Sequence, residues 1–367
     1  MRDDELMGRA ITLARGARRH TAPWPAVGAV VAHDGEIGGE GATGPFPTGP
    51  HAEVVALGAA GERARGATIY TTLEPCDHHG NTPPCTEALI EAGITRVLSA
   101  VDDPDEKVAG RGYARLRGAG IDVVTGVHEG AARRDLAPYL HHRRTGRAFV
   151  TAKVATTLDG RVAAADGSSR WITSAQARAD AHELRADAQA IVVGAGTALS
   201  DRPALTVRDV EVLPQRAPLR VLLDARGRVP AEGPLFDTAF APTLVVTTDR
   251  ARPGVVDAWR AAGAKVETVA PSPDGSGVDL DAAITILGSH GVLHALVEGG
   301  ATLLGALVTG GHAQRLVAYV APALLGTGGV PAFAFPGPAS VEDALRFDLV
   351  DVTRVGPDVR LEYEVPS

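Results

Sequence analysis

The stretch Thr72-Leu73-Glu74-Pro75-Cys76-Asp77-His78-His79-Gly80-Asn81-Thr82-Pro83-Pro84-Cys85, read together with His51-Ala52-Glu53, decides what the first half of this chain is. It holds both cysteines of the sequence. One imidazole and two thiolates suit Zn²⁺, and three protein ligands leave a fourth position for water, as a catalytic zinc site requires. The pattern predicts helices over His51–Ala60 and from Cys85 to about Ala92, so His51 and Cys85 each stand where a helix begins. A helix N-terminus favours negative charge, including a thiolate. Glu53 falls on the first turn after His51, where it can reach water on the metal without ligating it. Two other readings stay open. A structural zinc site would need a fourth ligand, and none is evident from the spacing although His78 or His79 could serve, while a Cys76–Cys85 disulfide would leave His51 and Glu53 without a role.

Outward from this block, apolar runs alternate with helical spacing, the signature of an α/β architecture. Leu6, Ala10, Ile11, Leu13, Ala14 and Ala17 predict a helix over 3–18. Strands follow at Val27–His33 and, past an Asp34-Gly35 turn, in the next segment. A strand at Ala67–Leu73, the helix from Cys85, a strand at Ile94–Val101, a helix at Arg111–Ala119 and a strand at Ile121–Thr125 complete an αββαβαβαβ order. His141-His142-Arg143-Arg144-Thr145-Gly146-Arg147 is basic and poor in apolar residues, and reads as a solvated linker or helix end. The pattern then restarts. Strands are expected at Phe149–Thr156, Ala190–Val193, Leu219–Asp224, Leu244–Thr248, Val292–Val297 and Leu316–Val320, and helices at Ala175–Ala186, Val255–Ala262 and Leu280–Ser289. Pro- and Gly-rich loops fall around 201–218, 225–242 and 271–278. No repeat relates the halves, so two different domains are expected, 1–145 and 148–367.

Bulk properties agree. A length of 367 residues favours two cores over one, and 45% hydrophobic with 22% charged residues is an ordinary globular balance. Net charge is −8, which argues against general nucleic-acid binding but leaves room for a phosphorylated small molecule held by one or two arginines. Two cysteines make no disulfide framework, and no leader or long apolar run is evident, so a soluble, cytoplasmic protein without a membrane partner is expected.

The H-x-E … P-C … C arrangement is similar to that of the zinc-dependent nucleobase and nucleoside deaminases. With its longer insert between the cysteines, and with Thr72–Cys76, His78, Gly80 and Thr82–Cys85, it resembles the deaminase domain of the bifunctional riboflavin-synthesis family. That resemblance implies a cytidine-deaminase-like three-layer domain with one Zn²⁺ on His51, Cys76 and Cys85. Glu53 would carry a proton from water to the departing amine, and His78 would line the pyrimidine pocket. Three positions that the resemblance places at the substrate depart from it. Trp24 stands where Asn is usual, Thr43 where His is usual and Asn81 where Lys is frequent. A related pyrimidine therefore stays open as the deaminase substrate.

The second half carries Lys153–Arg161, Ser168–Ser174, Gly194–Thr197, Asp201–Arg208 and Val297–Leu303, which resemble in order and spacing the reductase domain of the same family. The implied fold is dihydrofolate-reductase-like, and the implied reaction delivers hydride from NADPH to ribose C1′ of the deaminated ribotide. Starting from 2,5-diamino-6-ribosylamino-4(3H)-pyrimidinone 5′-phosphate, the two steps would give 5-amino-6-(5-phosphoribitylamino)uracil. Lys153, Ser169, Arg185, Leu205, Arg208 and Glu298 are implied at the substrate, with Arg185 and Arg208 on its phosphate, since guanidinium forks match phosphate oxygens. Ala155, Trp171, Thr197, Asp201 and Gly300 are implied at the cofactor, although Trp171 also reads as plain core. Arg202 replaces an acidic or Asn residue common beside Asp201. Glu298-Gly299-Gly300, between an apolar strand and an apolar helix, suits a pyrophosphate at a helix N-terminus but equally a plain turn. The G-x-G-x-x-G fingerprint is absent, against the commoner nicotinamide fold. The preference for NADPH over NADH and a homo-oligomeric state come from the resemblance alone. A nucleic-acid base deaminase is opposed by the acidic charge, and a non-catalytic zinc-stabilised binding module by Glu53.

Overall fold

The computed structural model describes residues 2–80 and 82–366. The chain divides into two compact units, Met1–Gly146 and Arg147–Ser367.

The first unit runs α1 (Asp3–Thr21), β1 (Gly28–His33), β2 (Glu36–Ala42), α2 (Ala52–Ala60), β3 (Thr68–Thr71), α3 (Cys85–Glu91), β4 (Arg96–Ser99), α4 (Arg111–Gly118), β5 (Asp122–Thr125) and α5 (Glu129–Thr145). Helix α1 buries Leu6, Met7, Ala10, Ile11, Ala14 and Ala17 on one face. Asp3, Asp4 and Glu5 in its first turn and Arg18, Arg19 and His20 in its last complement the helix dipole. The sheet order is β2-β1-β3-β4-β5, antiparallel at β2–β1–β3 and parallel at β3–β4–β5. Helix α2 sits hard against β2 because Gly39 and Gly41 have no side chains. A Cβ on either would run into the backbone of α2 at Ala56 or Ala52. This close approach fixes the start of α2, and with it His51 and Glu53. The basic stretch at 141–144 is the end of α5, a 17-residue helix whose earlier turns carried too few apolar residues to be expected from the pattern.

The second unit runs β6 (Phe149–Thr157), β7 (Arg161–Ala163), α6 (Ala175–Asp187), β8 (Ala190–Gly194), α7 (Ala195–Asp201), β9 (Leu219–Leu223), β10 (Thr243–Thr247), α8 (Pro253–Ala261), β11 (Lys265–Thr268), α9 (Leu280–Ser289), β12 (His294–Val297), α10 (Ala301–Thr309), β13 (Arg315–Ala321), β14 (Val330–Pro331), β15 (Asp348–Val355) and β16 (Asp358–Glu364). Nine strands form one sheet in the order β11-β10-β9-β8-β12-β6-β13-β16-β15. Both faces of its parallel part are covered. Along β8, Ala190 and Val192 join one apolar cluster while Ile191 and Val193 join another, because successive strand residues point to opposite faces. The edge hairpin β15–β16 was not expected, although Gly356-Pro357 between two alternating apolar and charged segments is its local signal. Among the described residues no helix is long and apolar enough to cross a membrane.

Candidate active sites

His51 is the N-cap residue of α2, Cys85 the first residue of α3, and Cys76 lies in the loop after β3. The three ligand atoms lie within 4.8 Å of one another. His51 Nδ1 is 3.1 Å from Cys85 Sγ and 3.5 Å from Cys76 Sγ. Tetrahedral zinc with ordinary Zn–N and Zn–S bonds sets such N···S edges at about 3.5 Å, so the residues fit the ion. Among the described residues neither His78 nor His79 joins the group, and both cysteines are free, so the fourth-ligand and disulfide readings have no support. Cys76 accepts a hydrogen bond from the Cys85 backbone N–H at 3.4 Å. The Cys76 thiol is held far below its ordinary range, first by the hydrogen bond from the Cys85 thiol and then by His51. Cys85 is pushed up by that same bond and by burial.

Glu53 is only 4% exposed. Thr71 donates to its Oε1 at 3.3 Å, while Oε2 faces Cys85 Sγ at 3.4 Å. Burial pushes its carboxyl up, opposed by His51. The sequence held no signal for Thr71, whose hydroxyl also donates to Leu73 O. His78 is half-buried, with Nδ1 enclosed and unpaired. Thr43 is buried, and its hydroxyl exchanges hydrogen bonds with Val27 N and O. Asn81 lies outside the described residues.

In the second unit Glu298 follows β12, Arg185 lies on α6 and Lys153 on β6. Arg185 grips both carboxylate oxygens of Glu298 at 2.5 and 2.8 Å and gives a third donor to Thr206 O at 3.0 Å. Lys153 Nζ stands 3.9 Å from Glu298, whose side chain is 9% exposed. Burial works to raise the Glu298 carboxyl, but Arg185 and then Lys153 hold it down at about 2. Arg208 is exposed, with Asp209 at 3.6 Å. His182, one turn before Arg185, is buried, and burial followed by Arg185 and Arg208 pulls it down to about 4.

A cavity of about 760 Å³ opens between the starts of α7 and α10, lined by Gly194, Thr197, Gly299, Gly300, Arg226 and Arg228 among others. Thr197 and Gly300 share it, whereas Ala155, Trp171 and Asp201 do not line it. Gly300 is the N-cap of α10 at φ 64°, and a Cβ there would come within 3.1 Å of Thr197 Oγ1. Trp171 is 67% exposed and so is not core, with the Arg178 guanidinium 4.1 Å over its ring. Ser169 is half-buried, and Leu205 is buried in the apolar cluster around Ile191.

An acid-stability prediction follows from Glu298. A carboxylate whose folded pKa is depressed stabilises the fold above its unfolded pKa, and that stabilisation is lost as pH falls toward about 2. Urea midpoints of the second unit should drop between pH 5 and pH 2 by a stability on the order of 3 kcal/mol. Glu298→Gln should be less stable at neutral pH and show a flatter profile. Parallel profiles for the two proteins would contradict this.

Comparison with known proteins gives the family. Residues 148–361 match the model of the RibD C-terminal domain, and residues 1–101 that of the cytidine and deoxycytidylate deaminase zinc-binding region. The riboflavin biosynthesis protein RibD of Escherichia coli is 41% identical over 98% of this chain and 99% of its own length. This chain belongs to the RibD family. A solved RibD structure from Acinetobacter baumannii superposes with a TM-score of 0.87 at 36% identity, covering 100% of this chain and 99% of that one. A diaminohydroxyphosphoribosylaminopyrimidine deaminase/5-amino-6-(5-phosphoribosylamino)uracil reductase from Thermotoga maritima gives 0.84 at 33% identity, covering 99% and 98%. As a RibD protein the chain is a riboflavin-pathway deaminase and reductase, with an N-terminal cytidine-deaminase domain, a C-terminal dihydrofolate-reductase-like domain and a zinc site at His51, Cys76 and Cys85.

Proposed function

We propose that the first unit deaminates 2,5-diamino-6-ribosylamino-4(3H)-pyrimidinone 5′-phosphate and that the second reduces the ribosyl group of the product with NADPH. The observation that carries this is the convergence of His51, Cys76 and Cys85 with the Glu53 carboxylate beside them. Zinc on these three ligands supplies Lewis acidity that makes water nucleophilic at neutral pH. Thr71 holds Oε1 of Glu53, which leaves Oε2 turned to the ligands to take a proton from water and give it to the amine nitrogen. His78, half-buried in the loop between Cys76 and Cys85, is the further residue assigned to the pyrimidine.

In the second unit three of the five Arg185 N–H donors go to Glu298 and Thr206, so Arg185 holds Glu298 in place and keeps two donors that, with Arg208, serve the substrate phosphate. Lys153 and Glu298 then orient the ribose, with Ser169 and the backbone at Leu205 as further substrate contacts. NADPH supplies the hydride, and the cofactor carries that chemistry. The Thr197–Gly300 cavity fits it, since side-chain-free Gly300 leaves the α10 N-terminus open to a pyrophosphate. Exposed Arg226 and Arg228 on the cavity wall supply charge for a 2′-phosphate. Ala155, Trp171 and Asp201 remain assigned to the nicotinamide side. Leu349 and Val352, more than half exposed on edge strand β15, support a homo-oligomer.

The test separates the halves. Dialysis against a chelator should abolish ammonia release from the diaminopyrimidine ribotide, and added zinc should restore it. NADPH oxidation on the already deaminated ribotide should be unchanged throughout. Ammonia release that survives complete zinc removal would overturn the assignment.

A further inference from the structure

The deaminase site has an aromatic border that its catalytic groups do not account for. Trp24 lies in the loop between α1 and β1, and Phe46 in the loop between β2 and α2. The Phe46 loop is tied to the last turn of α1, just before the Trp24 loop, by the Phe46 N–H, which donates to His20 O at 3.0 Å. The Phe46 loop runs directly into His51. Trp24 meets Phe46 edge-on with ring centroids 5.0 Å apart, and it meets the His51 ring edge-on at 6.2 Å. The indole therefore stands beside a metal ligand, with Phe46 braced against it.

Trp24 differs from a tryptophan that only fills a core. Trp259 is fully buried and its indole N–H donates to Val229 O. Trp24 is half-buried, and among the described residues its indole N–H has no partner. A ring and a donor are both left over. Close by, the hydroxyl of Thr43 is consumed by Val27 and is not available to read a ligand.

Resting on the deaminase reading above, we propose that Trp24, braced by Phe46, is the wall against which the pyrimidine ring of the substrate packs, and so a specificity-determining residue of this deaminase. A flat heteroaromatic ring gains stacking or edge contact with an indole whatever its substituents. Recognition at this wall is thus by ring shape, and the sugar and phosphate contribute little to it.

The experiment measures ammonia release by the zinc-saturated full-length protein over a range of diaminopyrimidine ribotide concentrations. Wild type, Trp24→Ala and Trp24→Phe are compared, with bound zinc measured for each. Trp24→Ala should raise KM roughly 5- to 100-fold with kcat moving less, as loss of a base-stacking partner does. Trp24→Phe should recover most of the loss. If Trp24→Ala binds less zinc, Trp24→Leu decides, since it keeps bulk but not the aromatic face: a raised KM supports the proposal and an unchanged one overturns it. A KM for Trp24→Ala within twofold of wild type, or lower, also overturns it while the deaminase reading stands. A wild-type protein that releases no ammonia overturns both.

Discussion

Glu53→Gln should lower ammonia release by a hundred- to ten-thousand-fold, the usual worth of a positioned general acid–base group. Glutamine keeps the size of the side chain and can still accept from Thr71 through its amide oxygen, so the packing around this 4%-exposed residue survives. What disappears is the oxygen beside Cys85 that the proposed mechanism uses to take up and release a proton. Bound zinc, measured by elemental analysis, should stay stoichiometric because Glu53 is not one of the three clustered ligands. NADPH oxidation on the deaminated ribotide should match wild type. A Gln variant with more than a tenth of the wild-type rate would remove Glu53 from the proton path.

Arg220→Met should cost the second unit roughly 3–5 kcal/mol. Arg220 is fully buried, and its guanidinium is a hub for loops distant in sequence. Nη1 donates to Pro234 O at 2.7 Å and Ala204 O at 3.4 Å, and Nη2 to Ala241 O at 2.6 Å, Thr243 Oγ1 at 2.8 Å and Asp237 O at 3.0 Å. Methionine fills much of the volume but returns none of these bonds. The buried Ala241 carbonyl and Thr243 hydroxyl would then lose their partner, each at a cost of about 1–3 kcal/mol before relaxation, while the more exposed carbonyls of Pro234 and Asp237 can turn to water. A consequence reaches the segment proposed to hold substrate, because Ala204 O is held by Arg220 and Thr206 O by Arg185, just before Arg208. Thermal or urea unfolding should show the second unit melting early while zinc-dependent ammonia release persists. An unchanged midpoint would mean that water replaces the guanidinium without loss.

Much of this protein was legible along the chain. The order αββαβαβαβ of the first unit and most strands of the second follow from local apolar spacing, which burial on one or both faces of a sheet imposes on neighbouring residues. The metal set was legible for a different reason. Histidine and cysteine are rarely interchangeable with other residues as zinc ligands, and the helix starts that present them carry their own signals. Helix α5 was missed because few of its residues are apolar, and β15–β16 because its strands are largely exposed and carry charge at alternate positions.

Sequence alone therefore determined the element types, the ligand identities and the presence of Glu53 on the first turn of α2. Tertiary structure decided which distant groups meet. Arg185 and Glu298 are 113 residues apart, and they pair because parallel β8 and β12 are neighbours in the sheet, which brings Glu298 beside the helix that precedes β8. The same holds for Trp24 at His51, for Thr43 turned onto Val27 and for Arg220 among its carbonyls. Local periodicity records whether a side chain is buried. Its partner is set by strand order and loop packing, which no window of the sequence contains.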